Sequence, residues 1–454
     1  MLIITSKKTL DDNLPPEPPI PTQVLTNQEY IPLPKTEKQR QVDYLLNEYA
    51  DKYGKKRGLS RRAFFKTASG FAAALLAMNK VYGMKFFDVE EVEAADEAAA
   101  LAKKKPGNQF IFDVQTHYLD APTLKANYSK ALSAKMIVDL LDGFRKSTVK
   151  GSGLMDLNRS TYIKEIFLDS ETAMCIMSGV PYVPGSPGTL LPIEEMVGTR
   201  DEVNAKAGTR RMLSHGLPVP TRGKANLDEM ERQVKEFKID GWKLYPGDGG
   251  EGTGYRGWYM DDEKIAYPVW EKAKQQGIKN ISVHKGLAAL WFSVPHCKVD
   301  DVHKAAEDFP DLNFIIYHSG FPWVSDLAYN QGFKPHVTNV YPELGSTFAS
   351  TVVGAPMTAA HVMGQLITHY GPDRIIWGTD SIWWGSPQWQ IDAFRKFRIP
   401  DELIAGYGYK QITDEDKTKI LGLNAARLYG INVEETMKKL SMDGISRMKK
   451  IMNA

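Results

Sequence analysis

Four short apolar runs in this chain end in a residue that can bind a metal ion or move a proton. They are 112–117 ending at His117, 281–284 ending at His284, 314–318 ending at His318 and 375–380 ending at Asp380. A fifth run, 239–246, carries Lys243 at the matching point. Imidazole and carboxylate are ligands for divalent ions and also shuttle protons, so three histidines, a lysine and an aspartate at strand ends read as metal-assisted catalysis. Any one of these histidines alone would be read as a satisfied core or surface residue, and it is the set that carries the chemistry. His215, His296, His303, His336, His361 and His369 are read as structural.

Side chains at the ends of several strands need a scaffold that brings those ends together, and a parallel β/α barrel does so at its C-terminal face. Strand-like runs occur at 110–114, 173–177, 211–215, 239–244, 281–284, 314–318, 340–344 and 375–377. The steps from Lys243 to His284, His318, Glu343 and Asp380 are 41, 34, 25 and 37 residues, each long enough for a loop, a helix and a return. Between strands, Ile265, Val269, Trp270 and Ala273 share one helical face, as do Ala359, Met363, Leu366, Ile367 and Tyr370. These segments stop at Gly277 and Gly371, and Thr413 to Asp416 reads as a capping box opening a later helix. The expected fold is therefore α/β, a (β/α)8 TIM-like barrel over residues 108–454.

Composition agrees with one large globular domain: 454 residues, 43% apolar and 25% charged. Lys+Arg 57 against Asp+Glu 55 leaves a formal charge of +2, so no global field draws the chain to nucleic acid, and a small molecule is the expected partner. The two cysteines, Cys175 and Cys297, suit neither a disulfide scaffold nor a thiol nucleophile. Residues 246–258 hold six glycines without the Gly-Lys-Ser/Thr ending of a phosphate loop, and are read as a mobile lid. Trp258, Tyr259, Trp383, Trp384 and Trp389 flank the same mouth and suit a planar or sugar-like substrate.

The first hundred residues differ in kind. Residues 1–59 are read as a Pro-rich, disordered extension, although Val42, Leu45, Leu46, Tyr49 and Tyr53 recur at helical spacing. Ser60-Arg61-Arg62-Ala63-Phe64-Phe65-Lys66 closely resembles the twin-arginine export motif. A short apolar run and an Ala-rich segment follow, so 60–100 is read as signal and cleavage region. That reading implies the twin-arginine translocation machinery as a partner and a periplasmic location, with a membrane tether if the signal is not cleaved.

Over most of residues 108–432 the chain resembles the amidohydrolase superfamily, in the branch that includes aminocarboxymuconate semialdehyde decarboxylase. The resemblance rests on Asp113 through His117, Lys243-Leu244-Tyr245-Pro246, Val283-His284-Lys285-Gly286, His318-Ser319-Gly320, Gly378-Thr379-Asp380 and the tail from Leu421 to Gly430. It implies His117, His284 and Asp380 as ligands of a divalent metal, zinc above all, with His318 either a second-metal ligand or a catalytic group beside the site. It also implies that Asp380 takes the proton of a metal-activated water while His318 polarises the substrate carbonyl. The family's first strand carries two histidines one residue apart. Here the first is Gln115, whose carbonyl oxygen can coordinate but is a weaker zinc donor than imidazole. Lys243 admits a carboxylated metal bridge, a substrate contact or a structural ion pair, with Glu343 as partner to it or to Arg256. Lys243, Arg256 and Trp383 are assigned to substrate. The expected function is an exported metal-dependent hydrolase of an amide, ester or lactone. The alternatives are a non-oxidative decarboxylase and a binding protein with a decayed metal site. A homo-oligomer is left open.

Overall fold

The computed structural model describes residues 17–25, 33–103, 109–142, 153–288 and 291–452. They divide into two compact units, the first within Met1–Gln23 and Pro34–Pro106 and the second within Val24–Leu33 and Gly107–Ala454.

The first unit is helical. It comprises α1 (Glu37–Tyr49), α2 (Arg61–Phe65), α3 (Ala68–Tyr82), α4 (Glu91–Ala95) and α5 (Glu97–Ala102). Part of the stretch expected to be disordered is therefore ordered. Thr36 and Gln39 form a capping box on α1, and Val42 and Leu46 on its inner face are buried, α1 packing against α3. Proline-rich composition argues against a core only where apolar periodicity is missing, and from residue 37 onward it is present. Ser60 caps α2 by accepting from Ala63 N, and Arg61 Nε donates to Asp51 Oδ1 at 2.8 Å. The apolar run after the paired arginines becomes α3, with Ala72 to Leu75, Ala77 and Met78 buried. Among the described residues no helix is long and apolar enough to cross a membrane.

The second unit is built on seven parallel strands in sequence order: β1 (Phe112–Thr116), β2 (Met174–Met177), β3 (Met212–Gly216), β4 (Gly241–Leu244), β5 (Asn280–His284), β6 (Asn313–Tyr317) and β7 (Val340–Pro342). The strands lie within two residues of the runs read from sequence. Their side chains are buried on both faces, as a parallel sheet covered by helices requires. The expected eighth strand is present as an extended run without a regular ladder. Ile376 N donates to Pro342 O at 2.9 Å on one side, and Val114 N donates to Trp377 O at 3.1 Å on the other. Isolated parallel bridges, Glu343 to Ile376 and Thr116 to Ser381, continue both contacts. This run links β7 to β1 and closes the α/β sheet as a TIM-like barrel.

The tail from Leu421 onward holds that closure. Asn424 Nδ2 donates to Pro372 O at 2.7 Å and to Ile375 O at 2.8 Å, occupying carbonyls at the start of the irregular run. A Cβ on Gly422 would lie 2.0 Å from Phe110 O, so the tail reaches the barrel only because residue 422 has no side chain. Phe112, Val114, Ile176, Leu213, Ile315, Tyr317 and Ile376 pack with Ala425, Ala426 and Leu440 in one apolar cluster. The helices take the anticipated positions, Tyr267–Gln275 and Pro356–Tyr370, and Thr413 and Asp416 complete a capping box.

Candidate active site

The strand ends deliver their polar residues to one place. Gln115 lies on β1 and His117 just past it, Lys243 on β4 and His284 at the end of β5. His318, Glu343 and Asp380 follow β6, β7 and the eighth run. All seven are buried, none more than 3% exposed.

The groups form two close pairs with an amide between them. His117 Nε2 lies 3.1 Å from Asp380 Oδ1, and His318 Nε2 lies 3.2 Å from His284 Nδ1. Gln115 Nε2 is 3.0 Å from Asp380 Oδ1 and 3.4 Å from His318 Nε2. Backbone carbonyls settle the imidazole tautomers. His318 Nδ1 is 2.6 Å from Gly345 O and His284 Nε2 is 3.2 Å from Leu287 O. A carbonyl only accepts, so both of those nitrogens carry the proton. Burial, reinforced by the Lys243 charge, holds His318 down at about 4 and His284 well below the ordinary histidine range, so both rings are neutral near pH 7. It follows that His318 Nε2 and His284 Nδ1 face each other as two lone pairs.

Asp380 is the opposite case. Burial alone would raise its pKa, but the hydrogen bond and charge of His117, together with the Ser346 hydroxyl, outweigh burial and hold it at about 2. Ser346 Oγ donates to Asp380 Oδ2 and itself accepts from Trp384 Nε1 at 2.9 Å. Asp113 locks the two strand ends together. Its Oδ1 accepts from Gln115 N at 3.1 Å and Thr379 N at 3.0 Å, its Oδ2 from Thr379 Oγ1, and burial pushes its carboxyl up to about 7. His318, Ser319, Ser346 and Asp380 all have positive φ, between 49° and 61°. Non-glycine residues held in that region are strained, and here the strain turns side chains inward from the strand ends.

Aromatic rings wall the site. Tyr245 stacks on His284 with centroids 4.4 Å apart, Phe292 meets both rings edge-on, and Trp383 stacks on His117 at 5.8 Å. Lys243 Nζ lies 3.4 Å from the Tyr317 ring centroid and 4.6 Å from that of Tyr245. It is fully buried among these rings.

The amidohydrolase family profile matches residues 202–431. The chain belongs to the amidohydrolase family. No curated protein matches it in sequence. Among solved structures, 2,6-dihydroxybenzoate decarboxylase from Rhizobium is similar at 16% identity and TM-score 0.43, over 71% of this chain and 99% of that one. 4-Oxalomesaconate hydratase from Rhodopseudomonas palustris is similar at 15% identity and TM-score 0.45, over 72% and 98%. A manganese complex of 5-carboxyvanillate decarboxylase from Novosphingobium aromaticivorans is similar at 12% identity and TM-score 0.43, over 72% and 97%. Family membership makes the protein a metal-dependent enzyme of amidohydrolase type.

The residues present fit a divalent ion by their chemistry. Two neutral imidazoles point lone pairs at each other, an ionised carboxylate stands beside a third imidazole, and the buried Gln115 Oε1 has no hydrogen-bond partner among the described residues. Such an arrangement of acceptors calls for a cation. Among the described residues, however, no three histidine, cysteine or acidic groups already converge as a ready-made cage, because the Gln115 amide stands between the pairs.

Two expectations are corrected. Arg256 is exposed on the glycine-rich loop, where its charge acts on His296, so it neither reaches the site nor pairs with the buried Glu343. Glu343 instead accepts from His318 N at 3.0 Å and Gly345 N at 2.7 Å, positioning the turn that carries His318. His296 belongs with Tyr259 and Ser293, away from the histidine pair. Sequence reasoning missed Ser346, although a Gly-Ser pair directly after the seventh strand is a turn signal that could have drawn attention to it.

Proposed function

We propose that this enzyme hydrolyses an amide, ester or lactone bond of a small organic substrate at the His117, His284, His318 and Asp380 site. The observation that carries the reading is the pair of facing imidazole lone pairs beside an ionised carboxylate, all at the C-terminal face of the barrel. A divalent ion, zinc in view of the imidazole-rich donors, would be held by His117, His284 and Asp380 with Gln115 completing the set. Such an ion supplies a water of lowered pKa and polarises a carbonyl. The chain's own groups divide the remaining work. Ser346, itself held by Trp384, fixes Asp380 Oδ2, and Oδ1, which faces His117 and Gln115, would accept the proton of the attacking water. His318, kept neutral and oriented by Gly345 O, presents its Nε2 lone pair to the site and would stabilise a developing oxyanion only after taking up a proton there. Tyr245, Phe292 and Trp383 exclude bulk water and offer flat surfaces to a planar substrate.

The test is a panel of aryl amides, esters, lactones and aromatic carboxylates offered to zinc-loaded protein. Release of a carboxylic acid without carbon dioxide is expected. Carbon dioxide evolution would replace hydrolysis by non-oxidative decarboxylation on the same residues.

We further propose that the protein is exported to the periplasm through the twin-arginine machinery, on the strength of the motif from Ser60 to Lys66. Arg61→Lys combined with Arg62→Lys should leave full-length protein in the cytoplasm, because a receptor reads the pair and not its charge alone. Unchanged secretion of the double variant would remove this proposal.

A further inference from the structure

We infer that the Gln115 carboxamide is a two-position ligand: without a cation its NH2 group ties the two donor pairs together, and with a cation it turns over to present its oxygen. The inference rests on the metal reading above and adds to it how this chain manages its departure from a second first-strand histidine.

The inward NH2 answers a specific need. Asp380 Oδ1 and His318 Nε2 are both acceptors, 3.0 Å and 3.4 Å from Gln115 Nε2, so its two hydrogens can serve one member of each pair. In that orientation the amide does the bridging that a cation would do. The cost falls on the other end of the same group. Gln115 Oε1 is buried with no hydrogen-bond partner among the described residues, and an unsatisfied buried carbonyl is destabilising.

The surroundings of Oε1 show what the alternative orientation gains. The oxygen lies in the space left by Gly345, which the Glu343 carboxylate also enters, the rest of that carboxylate's space being left by Gly378. A Cβ on Gly345 would stand 2.0 Å from Gln115 Oε1 and 2.7 Å from Glu343 Oε1, and a Cβ on Gly378 would meet Glu343 Oε1 at 1.7 Å. Amide oxygen and nitrogen are nearly equal in size, so the group can turn about its last bond without moving its neighbours. Turned over, the NH2 group occupies the space at Gly345 that the Glu343 Oε1 also borders, and the carbonyl moves toward the donor pairs. The carbonyl oxygen then faces Asp380 Oδ1 and His318 Nε2, three electron-rich atoms together, which is stable only around a cation. Each orientation thus leaves one mismatch, and an ion removes that of the second.

The experiment is a zinc competition titration against a chromophoric chelator, paired with thermal melting of chelator-stripped protein, for wild type, Gln115→Met and Gln115→Glu. Methionine keeps the length and loses both functions, so zinc affinity should fall at least about tenfold and the stripped protein should melt lower. Glutamate always offers oxygen and never NH2. It should bind zinc about tenfold tighter or more while its stripped form melts below wild type, the two readouts moving in opposite directions. A merely space-filling residue would not separate them. If both variants match wild type in zinc affinity, or if Gln115→Glu melts as wild type does when stripped, the two-position role is wrong while the metal reading stands. If wild-type protein takes up no zinc and turns over substrate in chelator, the metal reading falls and this inference falls with it.

Discussion

Asp380→Asn should lower kcat/KM by about a thousandfold or more while leaving the fold intact, which makes it the most damaging single substitution at the site. The carboxylate takes a hydrogen bond from every side: Oδ1 lies 3.1 Å from His117 Nε2 and 3.0 Å from Gln115 Nε2, and Oδ2 accepts from Ser346 Oγ. An amide of the same shape must turn its NH2 toward one of those donors, so one contact becomes a clash of hydrogens. It also removes the only charge in the set that can receive a proton from water under the proposed mechanism. The measurement is kcat/KM for whichever substrate the panel identifies, with circular dichroism and melting temperature as controls. A variant retaining more than about a tenth of wild-type activity would rule out Asp380 as the proton acceptor, because a positioned base contributes about 10²- to 10⁴-fold.

Asp301→Ala should destabilise the protein by about 3–5 kcal/mol, the largest stability loss expected from one residue outside the site. Lys285, directly after His284, is fully buried, and its Nζ lies 2.7 Å from both Asp301 oxygens and 2.9 Å from His296 O. Asp301 also accepts from Met260 N at 2.7 Å, so the ion pair joins the end of β5, the segment around His296 and the residues after the glycine-rich loop. Truncating it strands an ammonium in a dry interior, and that penalty exceeds the net worth of the intact pair. Lys285→Met combined with Asp301→Leu should therefore recover much of the loss. Urea melts of the three proteins decide the matter. A double variant no more stable than Asp301→Ala would mean that the packing of the loops, and not the orphaned charge, sets the cost.

The sequence by itself determined the strands and the chemistry at their ends. Parallel strands covered on both faces must be continuous apolar runs, so the runs ending at His117, His284, His318 and Asp380 stand out from their surroundings, and loop and helix lengths between them allow only a βα repeat. It also exposed Gln115 as the position where this chain departs from its family. The capping box at Thr413 and Asp416 was legible because both partners are three residues apart.

Only the tertiary structure decided how these groups meet. Which side chains pair across the barrel depends on how the eighth run closes the ring, and on four non-glycine residues held at positive φ that no local pattern announces. That is why Ser346 went unseen and why Arg256, plausible from its place in a mouth loop, points to solvent. Lys243 sits at the right strand end but under two aromatic rings, a fact fixed by contacts between β4 and β6 rather than by spacing. Proline content suggested disorder through residue 59, whereas from residue 37 the burial of Val42 and Leu46 against α3 outweighs the chain entropy that composition alone would have left unopposed.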